Sequence, residues 1–177
     1  MRLALVLLAF TACTFKPAGP ELVDSTPSER LTSSTKSLEL AMPLYPGGEA
    51  WTLSAHRGQV VLLDVWATWC EPCRDALPLY QDLATEFAPR GLEVFTVNVD
   101  ADPRLITPFL AEAKVSLPVL LDPEARLAEK TLKVKLMPTA FLIDRKGLVR
   151  FAHEGFDEGQ LATWLAEIET LLAEPAP

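Results

Sequence analysis

The chain has 177 residues, 49% of them apolar and 23% charged, with 16 Lys and Arg against 24 Asp and Glu for a net charge of −8. That is enough for one domain of ordinary size with its own core; the apolar content excludes a chain disordered throughout, and 3 cysteines cannot build a disulfide scaffold. The negative balance repels nucleic acid and anionic lipid and argues against a polyanion-binding role.

Residues 1–12 read as a short secretory signal. Met1-Arg2 brings one positive charge, Leu3 to Phe10 is an apolar run far shorter than the roughly 20 residues of a membrane span, and small residues follow at Thr11 and Ala12. The ending Phe10-Thr11-Ala12-Cys13 resembles a bacterial lipobox, which is cut before its Cys and carries lipid on the thiol. Lipid on Cys13 would hold the protein at a membrane without a spanning helix. A plain signal peptide with an incidental Cys is the alternative. Thr14 to Ser37 is dense in Pro, Ser, Thr and Gly with few large apolar residues, so residues 13–37 read as a flexible tether and 38–177 as the folded domain.

Leu38 to Leu40 and Ala50 to Leu53 flank Pro46-Gly47-Gly48 and suggest a hairpin. Val60 to Trp66 is an almost continuous apolar run, as expected of a central strand buried on both faces, with Asp64 out of character inside it. Apolar residues at Leu77, Tyr80, Leu83, Ala84 and Phe87 give Glu71 to Phe87 a helical period. A strand over Leu92 to Val99, a helix over Pro103 to Ala113, a strand over Leu117 to Leu121 and a helix over Glu124 to Leu132 follow. Thr139 to Ile143 and Leu148 to Ala152 form a second hairpin around Asp144-Arg145-Lys146-Gly147. Asp157 to Ala173 is a last amphipathic helix, with Leu161, Trp164, Leu165, Ile168 and Leu172 on one side. Strands alternating with helices predict an α/β sheet covered on both faces and ending in an antiparallel hairpin.

Trp66-Ala67-Thr68-Trp69-Cys70-Glu71-Pro72-Cys73 sits where the buried strand turns into a helix. Half a zinc site is the first alternative, but zinc takes four ligands, and the chain offers no second Cys pair and only His56 and His153. At a helix N-terminus, free backbone N–H groups and the dipole stabilise a thiolate at Cys70. Cys73, one turn later, is placed to attack a mixed disulfide formed there.

These residues resemble the thioredoxin superfamily, and within it the TlpA/ResA branch of membrane-anchored thiol-disulfide oxidoreductases. The resemblance covers about Leu38 to Leu172 and rests on the run from Val60 to Cys73, Met137-Pro138-Thr139 before a strand, Phe141-Leu142-Ile143-Asp144 with Gly147, and Gly155-Phe156. It implies a thioredoxin-like fold with a βα insertion, here Pro103 to Leu121, and a redox-active Cys70-Cys73 disulfide. It implies a cis peptide before Pro138, in place of an ordinary trans Pro opening a strand, and a substrate groove shared by Trp69, Glu71, Pro72, Met137, Pro138 and Gly155. Asp64 stands where thioredoxin carries a buried acid that helps to deprotonate the resolving thiol, and burial should raise its pKa. Some TlpA/ResA relatives carry instead a Glu shortly after the second Cys; here that position is Ala76, with Asp75 beside it, read as a solvated acid of the first helical turn. Thr96 stands where thioredoxin has a Lys near its buried acid, so the charge partner is missing. Glu71 either opposes thiolate formation at Cys70, favouring a reductant, or is simply a helix-start carboxylate.

The implied protein is an extracytoplasmic disulfide reductase, anchored by lipid on the periplasmic side or at the cell surface. It would need no cofactor beyond its own disulfide and would take electrons from a membrane thiol carrier. Its substrates would be disulfide-bonded proteins, apocytochrome c Cys pairs among them. Two other readings stay open: a copper-binding or chaperone module, with His153 a solvated loop residue if not a ligand, and a peroxiredoxin-like peroxidase, whose Thr-x-x-Cys pattern Ala67-Thr68-Trp69-Cys70 does not match.

Overall fold

The computed structural model describes residues 35–176; the expected signal segment, Cys13 and most of the tether lie outside the described residues. Seven strands, β1 (Ala41–Tyr45), β2 (Ala50–Thr52), β3 (Val60–Trp66), β4 (Leu92–Asn98), β5 (Val119–Leu121), β6 (Thr139–Ile143) and β7 (Val149–Glu154), form one sheet in the order β2-β1-β5-β4-β3-β6-β7. The central pairs β3-β4 and β4-β5 are parallel, while β3-β6, β6-β7, β1-β5 and β1-β2 are antiparallel. Four helices complete the domain: α1 (Glu71–Phe87), α2 (Ile106–Ala113), α3 (Arg126–Lys130) and α4 (Leu161–Ala173).

All seven residues of β3 are buried, which explains why its sequence is apolar rather than alternating. Its Trp66 ring meets Phe109 of α2 at 5.1 Å, and Tyr80 of α1 meets Trp164 of α4 at 5.5 Å, so Asp64 and Trp66 face the layer made by α1, α2 and α4. Val65 points to the opposite face, where Ala128 of α3 borders the same cavity. The expected βα insertion is α2 with β5, and β5 enters the sheet between β1 and β4.

Several element bounds differ from the sequence expectation for local reasons. Leu38 and Leu40 precede β1, because the Leu38 N–H donates to the Gly147 carbonyl (2.7 Å) and the Leu40 carbonyl accepts from the Leu53 N–H (3.0 Å). β5 starts only after Pro118, whose carbonyl accepts from the Thr96 N–H at 2.9 Å. The helix expected from Glu124 shortens to α3 because Glu124 (φ 69°) and Ala125 (φ 55°) are left-handed, and the Asp122 carboxylate accepts from the N–H groups of Leu127 and Ala128 at 2.8–3.1 Å. A 3-10 turn over Glu158–Gln160 precedes the last helix, whose buried stripe runs through Trp164, Ile168 and Leu171. Leu161 is therefore 36% exposed, Leu171 joins Trp164 and Ile168 in the core, and Leu165 and Leu172 are only partly buried.

Candidate active site

The turn from β3 into α1 is held by side chains that carry no motif in the sequence. Asp100, 5% exposed, accepts from the Thr68 N–H (2.9 Å), the Thr68 hydroxyl (3.0 Å) and the Asn98 amide (2.8 Å), while the Asn98 side-chain oxygen accepts from the Asp100 N–H (3.1 Å). A buried carboxylate is stable only when its lone pairs are satisfied in this way. The network fixes the three-residue loop that presents Cys70. The signal for it was present in the sequence as two polar residues, Asn98 and Asp100, at the end of an apolar strand.

Cys70 is the N-cap of α1, with Pro72 in the first turn, where the missing proline N–H is no loss. Cys70 and Cys73 form a disulfide with Cα atoms 5.3 Å apart. Cys70 keeps 6% exposure and Cys73 has none, so only Cys70 is open to an incoming sulfur. Glu71, Pro72 and Asp75 are exposed on the helix surface.

Beneath α1, Asp64 has no exposure, and neither of its carboxyl oxygens has a hydrogen-bond partner. Burial pushes its pKa well above the usual carboxylate range, with the Val65 N–H opposing that rise. The residue paired with it on β4 is Thr96, whose hydroxyl donates to the Pro118 carbonyl at 3.2 Å; the one paired on β6 is Ala140. No cation offsets the buried acid from either neighbouring strand.

The Met137–Pro138 bond is cis, as is Tyr45–Pro46. The Pro138 carbonyl accepts from the Gly155 N–H at 2.8 Å, joining the two expected groove residues directly. Trp69 (69% exposed) and Leu136 (53% exposed) stand as apolar walls. With Met137, Val65, Val99 and Val134 they line a cavity of about 280 Å³ that Glu124, Glu129 and Lys135 also border. Leu136 is a wall residue that sequence reasoning missed. Gly155 has φ 82°, a left-handed backbone that disfavours a Cβ, although the space itself is open, with Leu136 Cδ2 at 3.6 Å. Gly155→Ala is expected to cost about 1–2 kcal/mol from the backbone alone, read as a lower urea midpoint. It should also raise KM for a protein disulfide, because relaxing the strained backbone would move the N–H that holds the Pro138 carbonyl.

His153 is not a solvated loop residue. It lies in β7, its Nε2 is 2.6 Å from Glu167 Oε2, and its ring stacks on Trp164 at 4.1 Å. The sequence hides this because Glu167 comes from the last helix. His56 likewise pairs with Glu93 at 2.5 Å and stacks on Trp51 at 5.2 Å. Among the described residues no three His, Cys, Asp or Glu side chains come together as a metal site.

A Cys-x-x-Cys disulfide at a helix N-terminus, set against an X-Pro turn over a mixed sheet, defines a thioredoxin-like domain. The chain belongs to the AhpC/TSA family, which it matches over residues 35–152. It is 31% identical over 125 residues to the thiol-disulfide oxidoreductase ResA of Oceanobacillus iheyensis, covering 71% of this chain and 62% of that protein. To ResA of Bacillus subtilis it is 33% identical over 102 residues, covering 58% of this chain and 56% of that one. The match thus spans about three fifths of these relatives' length. Among solved structures it resembles a putative thiol:disulfide interchange protein DsbE from Chlorobium tepidum, with TM-score 0.72, 35% identity and coverage of 78% of this chain and 96% of that one. It also resembles a putative protein disulfide isomerase from Bacteroides thetaiotaomicron, with TM-score 0.69, 26% identity and coverage of 78% and 88%.

Proposed function

We propose that this protein is an extracytoplasmic thiol-disulfide oxidoreductase that reduces protein disulfides through Cys70 and Cys73. The observation that carries the reading is the unequal exposure of the two sulfurs at the start of α1, 6% against none, above a fully buried acid. The names of the ResA and DsbE relatives support the same reaction class.

In the reduced enzyme the Cys70 thiolate, stabilised by the helix N-terminus, attacks a substrate disulfide and expels one substrate sulfur as thiolate. The substrate strand lies against Pro138 and Gly155, between the walls of Trp69 and Leu136. Asp64 then takes the Cys73 proton, directly or through a water. The Cys73 thiolate attacks Cys70 Sγ, which forms the intramolecular disulfide and releases the second substrate sulfur with its electron pair. A membrane thiol carrier restores the dithiol by the same exchange. No other cofactor takes part.

The exposed carboxylate of Glu71 next to Cys70 opposes thiolate formation there and favours work as a reductant over strong oxidation. Lipid on Cys13 would hold the domain at the membrane, and no helix among the described residues is long and apolar enough to cross one. A copper role gains no support from His153, which Glu167 and Trp164 already occupy. A peroxidase role gains none from the Ala67-Thr68-Trp69 loop.

Cys73→Ser tests the reading. A mixed disulfide on Cys70 that can no longer be resolved should accumulate in the cell envelope and be recovered by non-reducing electrophoresis. Cytochrome precursors among the trapped proteins would support a maturation role, and many unrelated partners general disulfide reduction. No trapped protein at all would sink the proposal.

A further inference from the structure

The cavity between Trp69 and Leu136 joins the residue before Cys70 to the residue before Pro138, Met137. At about 280 Å³ it is smaller than the roughly 300–1,000 Å³ of small-molecule sites, and its size suits one side chain of a docked segment. Trp69 and Leu136 are two of the few large apolar residues exposed among the described residues. The backbone holds Leu136 there. Its carbonyl accepts from the Thr139 hydroxyl at 2.5 Å, and the loop before it is pinned by buried Leu132 and by the Val134 N–H, which donates to the Ala128 carbonyl at 2.9 Å. Two large apolar side chains held in water around one cavity mark a contact surface, unlike single apolar residues scattered over a protein.

The border of this surface is unevenly charged. Arg126, Lys130, Lys133 and Lys135, four of the chain's 16 basic residues, stand close together in an acidic sequence. Arg126 is spent on Glu124 at 2.6 Å. Every other arginine among the described residues is also hydrogen-bonded, whereas the exposed Lys133 and Lys135 make no ion pair or side-chain hydrogen bond. Lys135 borders the cavity itself, and Lys133 and Lys135 border the hollow that adjoins it across Glu129 and Val134. Glu129 is the one unpaired carboxylate on this border, so two free ammonium groups face one free acid. On the side of α1 the exposed charges next to the cysteines are negative, at Glu71 and Asp75.

We propose that this surface selects the substrate: the preferred protein disulfide carries a large apolar residue beside its reacting cysteine and carboxylates just beyond it, the apolar side chain seated between Trp69 and Leu136 and the carboxylates over Lys135 and Lys133. The proposal rests on the reading of Cys70 and Cys73 as a disulfide-reducing pair. An extended segment advances about 3.3 Å per residue, so neighbours of the seated residue fall on the border of the same cavity. Rim charges of this kind act on the rate of encounter and weaken with salt, while the buried apolar anchor holds the bound segment. An anionic lipid surface would satisfy the lysines but offers no side chain to fill the cavity.

The test uses peptides with one cysteine, supplied as symmetrical disulfides: Cys-Leu-Glu-Glu, Cys-Leu-Lys-Lys and Cys-Ser-Glu-Glu, each also in reverse order. The reduced full chain is mixed with excess peptide and one turnover is followed, in which two peptide thiols leave and the Cys70–Cys73 disulfide forms. Rates are divided by those with dithiothreitol, because flanking charge alone alters a thiol's reactivity. In the better chain order, the Leu-Glu-Glu peptide should react about threefold to tenfold faster than Leu-Lys-Lys at low salt. The gap should close at about 1 M salt, where charges are screened beyond ~3 Å. Ser in place of Leu should cost about tenfold. Lys133→Glu combined with Lys135→Glu should reverse the order of the acidic and basic peptides. Equal rates for those two peptides, an order unchanged in the double variant, or equal rates for Leu and Ser each overturn the proposal. Equal peptide rates together with phosphatidylserine vesicles that bind wild type and not the double variant overturn it in favour of a membrane surface. Oxidation of the pair by insulin and by no peptide overturns the selection alone; oxidation by neither overturns the disulfide-reducing reading itself.

Discussion

Cys70→Ser should abolish reduction of protein disulfides, lowering turnover in an insulin-reduction assay by about a thousandfold or more. The size of the effect follows from position. Cys70 is the sulfur with any exposure, it occupies the N-cap of α1, and Cys73 is sealed beneath the helix. Removing Cys70 therefore leaves, among the described residues, no second thiol able to begin the reaction. Cys73→Ser should behave differently, retaining a single attack per molecule and failing only at release. Equal residual turnover in the two variants would contradict the division of labour between the sulfurs. The Thr68-Asn98-Asp100 network means that neither variant should disturb the loop, so both should unfold at midpoints close to that of reduced wild type.

A second large effect is expected from Asp64→Asn, this time on stability. Burial raises the folded-state pKa of Asp64 above the value of about 3.9 that the unfolded chain shows. Below about pH 4 both states hold the proton and the group is neutral for stability. Above it the unfolded chain ionises while the folded protein keeps the proton, so stability falls by about 1.4 kcal/mol per pH unit until the folded carboxyl ionises in turn. Asn cannot ionise and escapes this loss. Urea midpoints of the oxidised proteins, compared from pH 4 to pH 8, should diverge in favour of Asp64→Asn as pH rises. Parallel curves would show that Asp64 titrates as an ordinary solvated acid.

The parts of the fold that the sequence exposes are those where one physical demand governs a whole segment. The apolar run of β3, broken only at Asp64, and the 3.6-residue period of α1 both match the structure at their ends, because burial on two faces and on one stripe write themselves into residue order. The Cys pair was equally plain, while the roles of Pro138 and Gly155 were reached only through resemblance. Their hydrogen bond joins segments whose spacing carries no periodic signal. Contacts between distant segments stayed hidden for the same reason. His153 looked solvated because nothing near it in the chain announces Glu167. Leu161 is exposed and Leu171 buried because the buried stripe of the helix runs through Trp164, Ile168 and Leu171 and leaves its first residue outside. The break at Glu124 and Ala125 was invisible because neither residue type favours a left-handed backbone, so only the surrounding cap at Asp122 holds it there.

The position of β5 carries a consequence for the order in which the domain assembles. β1 reaches the sheet only by pairing Leu44 and Tyr45 with Leu120 and Val119, partners that lie far along the chain. Closing so long a loop costs entropy before any contact repays it. The β3-α1-β4 unit that bears the cysteines needs only a local crossover, while the amino-terminal hairpin must wait for the insertion to dock. The crossover that bears the cysteines is thus local, whereas β6, which follows Pro138, and β1 both enter the sheet through pairings distant in the sequence.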